Sequence, residues 1–174
     1  MQAVVFEYFE TLVIAAVIVV ILCTFVFRMV RVDGTSMVPT LADGDFLVST
    51  HAFYTPQHGD IVVITQPNEI AVPLIKRVIA KGGDTLDIDF ESGRVTLNGE
   101  TLREDYINDR TYYEPDEALS FPLTVPEGMI FAMGDNRNHS SDSRDAHIGL
   151  IDERYIMGQT FFRLFPLTEM GWVH

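Results

Sequence analysis

Two patterns of apolar and polar positions divide the chain. Residues 11–27 read TLVIAAVIVVILCTFVF, 17 residues without a charge between Glu10 and Arg28. Such a run is apolar on every face of a helix, not along one stripe. Crossing the hydrocarbon of a bilayer takes roughly 17–25 residues. Met29 and Val30 lengthen the run, and Arg28 can extend its guanidinium to the headgroups. A cleaved leader needs a basic start, a short apolar stretch and a small-residue cleavage site. The first ten residues hold no Lys or Arg, and the end of the run, TFVFRM, offers no such site. The pattern therefore predicts a short tail at 1–9 and an uncleaved single-pass anchor at 10–30. Orientation is less direct. Arg28 and Arg31 follow the run and nothing basic precedes it, so a literal positive-inside count puts the rest of the chain in the cytoplasm.

Beyond the run the period changes. DFLVST, DIVVIT, PLIKRVIA, TLDIDF, GRVTL, GMIFAM and GQTFFRLF are short alternating or continuous apolar segments broken by turn residues. Each reads as a strand. Asn98-Gly99, between RVTL and ETLR, is a two-residue hairpin signal. Closely spaced strands without a long helical pattern predict a mainly β domain over 31–174, sandwich-like or barrel-like and of mixed topology. Residues 104–120, EDYINDRTYYEPDEALS, are polar and acidic and read as a long surface loop. No internal repeat or low-complexity tract is present.

Length and charge narrow the classes. With 174 residues there is room for one domain and an appended element, and 47% apolar residues supply a core. The net charge of -13 argues against a nucleic-acid partner, because phosphate binding draws on clustered Lys and Arg. Cys23 is the sole cysteine, so no intrachain disulfide forms. The histidines, His51, His58, His139, His147 and His174, show no metal-ligand spacing such as H-E-x-x-H.

Four segments carry candidate chemistry: GTSMVPTL at 34–41, GDIVVI at 59–64, IKRVIAKGGD at 75–84 and MGDNRNHSSDSRDAHIG at 133–149. Ser36 lies between Gly34 and Pro39, on a constrained turn. It reads as a turn former or as a nucleophile. Lys76 sits in an apolar strand whose alternation puts Leu74 and Val78 on its face. It reads as an aggregation-blocking edge lysine, or as a desolvated amine with a lowered pKa that can accept a proton. The segment 133–149, with Asp135, Asn136, Arg137, Asp142, Ser143, Arg144 and Asp145, reads as a hydrogen-bonded buttress or as solvated surface.

Together these segments resemble the boxes of the bacterial type I signal peptidases. SMVPTL is similar to that family's serine box, KRV with the following GGD to its lysine box, and GDNRNHSSDSR to its third box. The order anchor, serine, lysine, loop matches, and the 40 residues from Ser36 to Lys76 resemble the short single-span members. The resemblance runs from the anchor to about Pro166. It implies a serine endopeptidase that removes signal peptides from exported preproteins at the outer face of the plasma membrane, close to the secretion translocon. On it Ser36 is the nucleophile and Lys76 the general base, and Ser140 orients the lysine. It also makes Asp142–Arg144 and Arg77–Asp135 supporting ion pairs, and the Ser36 backbone N–H the oxyanion donor. It implies a mainly β fold without metal or cofactor, and small residues one and three positions before the cut. Two departures stand out. Gly34 occupies a position where many members carry a second oxyanion hydroxyl, and four residues, DAHI, separate Arg144 from Gly149. Independently, Ser36 follows Arg28 by eight residues, which reach at most about 28 Å, so the nucleophile lies near the predicted bilayer.

Three rivals remain. Self-cleaving SOS-response repressors resemble this family in fold and Ser-Lys pair, but carry a DNA-binding helical domain in place of the anchor. A Ser-His-Asp hydrolase would use His139 with Asp142. A non-catalytic anchored β domain would bind partners at the membrane and tolerate loss of Ser36 or Lys76.

Overall fold

The apolar run is helical, and the helix is displaced toward the N-terminus relative to the predicted anchor. In the computed structural model, residues 2–50, 54–65 and 72–174 are described, apart from the side chains of residues 2–5 and 22–25. His51 and the Cys23 side chain lie outside the described residues. Helix α1 (Gln2–Phe25) takes in the expected tail, and every described residue from 6 to 21 is exposed. Among the described residues no helix is long and apolar enough to cross a membrane. The described side chains of α1 cover only the 16 residues from 6 to 21, and these include Glu7 and Glu10.

Met29 and Val30 do not continue the helix. They lie in β1 (Phe27–Arg31), which pairs antiparallel with β2 (Phe46–Thr50), Met29 opposite Val48. Val is a weak helix former in water, and a neighbouring strand satisfies its backbone equally well.

The seven predicted strands all form, within longer company. The chain continues through β3 (Ile61–Ile64), β4 (Leu74–Lys81), β5 (Thr85–Asp89), β6 (Arg94–Leu97), β7 (Glu100–Thr101), β8 (Leu123–Thr124), β9 (Met129–Met133), β10 (Ile151–Asp152), β11 (Ile156–Phe165) and β12 (Gly171–Trp172). The large sheet runs β1-β2-β11-β3-β4-β9-β10, with β12 on β11; the small sheet runs β7-β6-β5-β8. Every described strand pair is antiparallel, not of mixed direction. The large sheet ends on β1 and β10 instead of closing into a barrel. At the Asn98-Gly99 turn both residues have positive φ, 52° and 85°. That is the backbone of a tight hairpin matched to strand twist.

The core has three parts. Ile79, Phe131 and Met133 of the large sheet meet Leu86, Ile88 and Val95 of the small one. Val62, Ile64, Val78, Ile130 and Ala132 form a second cluster. The third lies beneath the turn that carries Ser36: Val32, Met37, Leu41, Leu47, Ile61 and Val173. Met37 and Leu41 are 1% and 0% exposed. Each contributes about 1.5–3 kcal/mol of burial, which roots both sides of the turn.

The acidic stretch 104–120 is irregular, as expected, yet it is more than a surface loop. Thr111 is fully buried, and Ala118 bridges to Asp145.

Candidate active site

Lys76 lies on β4 opposite Val62 of β3 and is 3% exposed. Its Nζ donates to Ser36 Oγ at 2.7 Å and to the Ile75 carbonyl at 3.1 Å. Burial, partly offset by the nearby carboxylates of Asp142 and Asp135 and reinforced by Arg144, lowers its pKa from 10.5 to about 8. An amine in this setting is neutral in a useful fraction of molecules near physiological pH, and it already touches a hydroxyl.

The 133–149 loop packs against the Ser36 turn from the other side. Asn136 N donates to the Ser36 carbonyl at 3.0 Å, and Asn136 Nδ2 to the Thr35 carbonyl at 3.1 Å. A Cβ on Gly134 would collide with Ser140 Oγ and with the Ser36 carbonyl oxygen. Only glycine permits this approach of the two backbones.

Three buried guanidiniums brace the loop. Arg77 grips Asp135 with two bonds, Nε to Oδ1 at 2.8 Å and Nη2 to Oδ2 at 2.7 Å, and donates Nη1 to the Gly59 carbonyl at 2.8 Å. Thr40 Oγ1 donates to the same Asp135 carboxylate at 2.5 Å. Arg144 grips Asp142 in the same forked way, at 2.8 and 2.9 Å, and Asp142 also accepts from Gly134 N at 3.0 Å. Burial pushes the Asp142 carboxyl up, but the Arg144 and Gly134 donors prevail and hold it below its ordinary value. The third guanidinium, Arg137, is 0% exposed; it donates to the Gly134 carbonyl at 3.1 Å and pairs with Glu104 at 2.6 Å.

The structure thus brings Ser36, Lys76, Arg77, Asp135, Asp142 and Arg144 together, with the two expected ion pairs formed. Ser140 is 7% exposed, but its Oγ has no hydrogen-bond partner among the described residues, Lys76 included. Asp142, the acid of the histidine alternative, is taken up by Arg144. Asn136 and Arg137 belong to the segment whose sequence reads as a buttress or as solvated surface, and the structure makes them a buttress; Thr40, within SMVPTL, carries no signal of its own in the sequence. Among the described residues no group of three or more His, Cys, Asp or Glu side chains is placed to hold a metal.

A cavity of about 310 Å³ opens beside the pair, with Val30, Val32, Met37, Leu74 and Ile75 in its apolar lining. A larger one, about 500 Å³ and lined by Arg94, Glu104 and Arg110 among others, includes neither Ser36 nor Lys76.

Fold and site define an antiparallel β protein with a serine hydroxyl bonded to a buried lysine amine. Residues 5–165 match the family described as signal peptidase, peptidase S26. The chain is 36% identical to a probable signal peptidase I-1 of Synechocystis sp. over 95% of its own length and 85% of that protein's. It is also 36% identical to a signal peptidase I of Bacillus licheniformis, over 95% and 91% of the two chains. A crystal structure of a signal peptidase I from Enterococcus faecalis V583 aligns at 30% identity and a TM-score of 0.49, over 62% of this chain and 98% of that one. The chain belongs to the signal peptidase, peptidase S26, family. It is a serine peptidase.

Proposed function

We propose that this enzyme removes signal peptides from exported preproteins, with Ser36 as nucleophile and Lys76 as general base. The observation that carries the reading is the 2.7 Å contact between Lys76 Nζ and Ser36 Oγ at a buried, pKa-lowered amine. The neutral amine accepts the hydroxyl proton as Oγ attacks the scissile carbonyl, then returns it to the leaving amine. The Ser36 N–H donates to the oxyanion; Gly34 brings no second hydroxyl. Asp135–Arg77 and Asp142–Arg144 fix the loop that carries Asn136.

The apolar cavity suits the small side chains near the cut. Its walls are the end of β1 with the residues after it, 30–33, and the lead into β4, 72–75, and β9 joins β4 only from Arg77 onward. An extended peptide lies between such walls as an added strand.

On this reading α1 (Gln2–Phe25) carries a single-pass anchor in the plasma membrane, and the β domain from β1 onward is the catalytic domain on its outer face. The same end of the large sheet exposes Met29, Phe165, Leu167, Met170 and Trp172, each more than half accessible. This rim continues from the exit of α1 and would rest on lipid beside the substrate's own apolar segment. Cleavage of a model preprotein by wild type, Ser36→Ala and Lys76→Ala tests the chemistry. Retained cleavage in either variant defeats the Ser-Lys chemistry, and absence of cleavage by wild type favours a non-catalytic anchored domain. C-terminal reporter fusions test the side of the membrane; an active cytoplasmic reporter refutes the outer placement.

A further inference from the structure

The acidic stretch has no part in the mechanism above, yet it covers the loop that braces Ser36. Three guanidiniums are buried behind that loop, and only two of their carboxylates come from the loop itself. Asp135 takes Arg77 and Asp142 takes Arg144. The carboxylate for Arg137 comes from Glu104, whose side chain is 8% exposed. Thr111 Oγ1 accepts a second Arg137 donor at 3.0 Å. The Tyr113 carbonyl accepts from Arg144 at 3.2 Å. The Tyr106 ring lies 4.1 Å from the Arg77 guanidinium carbon and 5.8 Å from that of Arg137. Its hydroxyl donates to Glu104 at 3.3 Å. Asn138 ties the stretch back to the loop, accepting from Tyr112 N and Tyr113 N at 3.0 and 2.9 Å.

We propose that residues 104–113 form a positioning strap: Glu104 neutralises Arg137 and Tyr106 roofs Arg77 and Arg137, which together hold Gly134 and Asn136 against the Ser36 turn. The chain of contacts is continuous. Arg137 holds the Gly134 carbonyl, Arg77 holds Asp135, and Asn136 N holds the Ser36 carbonyl. An aromatic face over a guanidinium screens it from water and attracts it, so both ion pairs beneath Tyr106 stay dry and short. Among the described residues no hydrogen bond or ion pair joins a strap side chain to Ser36 or Lys76, so each acts through the loop.

The inference rests on the Ser36–Lys76 reading, and its test separates the two. The full chain and a model preprotein are used, with Tyr106→Leu, Glu104→Gln, the conservative Tyr106→Phe, and Lys76→Ala as control. The expected result for Tyr106→Leu is a kcat about tenfold down at a KM within about twofold, restored in Tyr106→Phe, which keeps the ring. Glu104→Gln should also lower kcat. The charged groups acting on Lys76 are Asp142, Asp135 and Arg144. With Arg137 left uncompensated behind them, the acid limb of the pH–rate profile moves to lower pH. A merely structural role lowers the folded fraction seen by circular dichroism and leaves that limb in place. Wild-type kcat and pH profile in both variants, with Lys76→Ala inactive, overturns the strap alone. So does a kcat loss that only tracks the folded fraction. An active Lys76→Ala overturns the Ser36–Lys76 reading and the strap with it.

Discussion

The burial of Lys76 should make this enzyme less stable near neutral pH than in alkali. A fall from 10.5 to about 8 corresponds to about 3 kcal/mol at about 1.36 kcal/mol per pH unit. At 3% exposure little solvent screening reduces it. Because the folded pKa lies below the unfolded one, the unfolded chain binds the proton more tightly. The penalty is therefore present in full below about pH 8 and disappears as pH rises toward 10.5. Lys76→Met replaces the amine with an apolar side chain of similar length. It forfeits two hydrogen bonds, to Ser36 Oγ and the Ile75 carbonyl, worth about 0.5–1.5 kcal/mol each. Near pH 7 the variant should thus be inactive yet at least as stable as wild type, by about 0–2 kcal/mol, and less stable than wild type near pH 10.5. The same pKa leaves roughly a tenth of the amine neutral at pH 7. Wild-type cleavage should then rise about tenfold for each pH unit below 8 and level off above it. Urea unfolding of both proteins at two pH values, with initial cleavage rates across the range, checks both halves. A stability difference that does not change with pH, or a rate flat from pH 6 to 8, refutes the argument.

Further outcomes follow from the same geometry. Asp135→Asn leaves Arg77 buried without its anion and should cost about 3–5 kcal/mol in denaturant unfolding, with cleavage lost as the loop slackens. Gly134→Ala drives a methyl into Ser140 and the Ser36 carbonyl; kcat should fall at least tenfold, which single-turnover cleavage measures apart from binding. Gly99→Ala puts a side chain at φ 85° and should lower stability by about 1 kcal/mol or more at unchanged kcat, seen as a shift in thermal midpoint. The Asp142–Arg144 contribution is held above the carboxylate's ordinary pKa of 3.8 and lost as pH falls through its lowered folded value. Asp142→Asn should therefore flatten the acid limb of the unfolding curve.

What the sequence determined by itself was local. Alternation placed the seven strands, because side chains of a half-buried strand must alternate between core and water; Thr85–Asp89 alternates exposed and buried throughout. Asn98-Gly99 specified its own turn, because few residue pairs accept positive φ twice in succession. The boxes around Ser36, Lys76 and Asp135 were legible as a resemblance. Only tertiary structure decided how the boxes meet. Ser36 and Lys76 are 40 residues apart, and Arg77 and Asp135 58; each distance depends on sheet order, to which periodicity is blind. The end of α1 escapes the pattern for the same reason: Met29 and Val30 are as apolar as the residues before them, and what removes them from the helix is β2 alongside. The role of 104–113 was invisible because acidic, Tyr-rich sequence reads as solvated. Glu104 loses its water only where the fold lays it on Arg137, and there the desolvation cost of each ion can be met only by a partner from another segment.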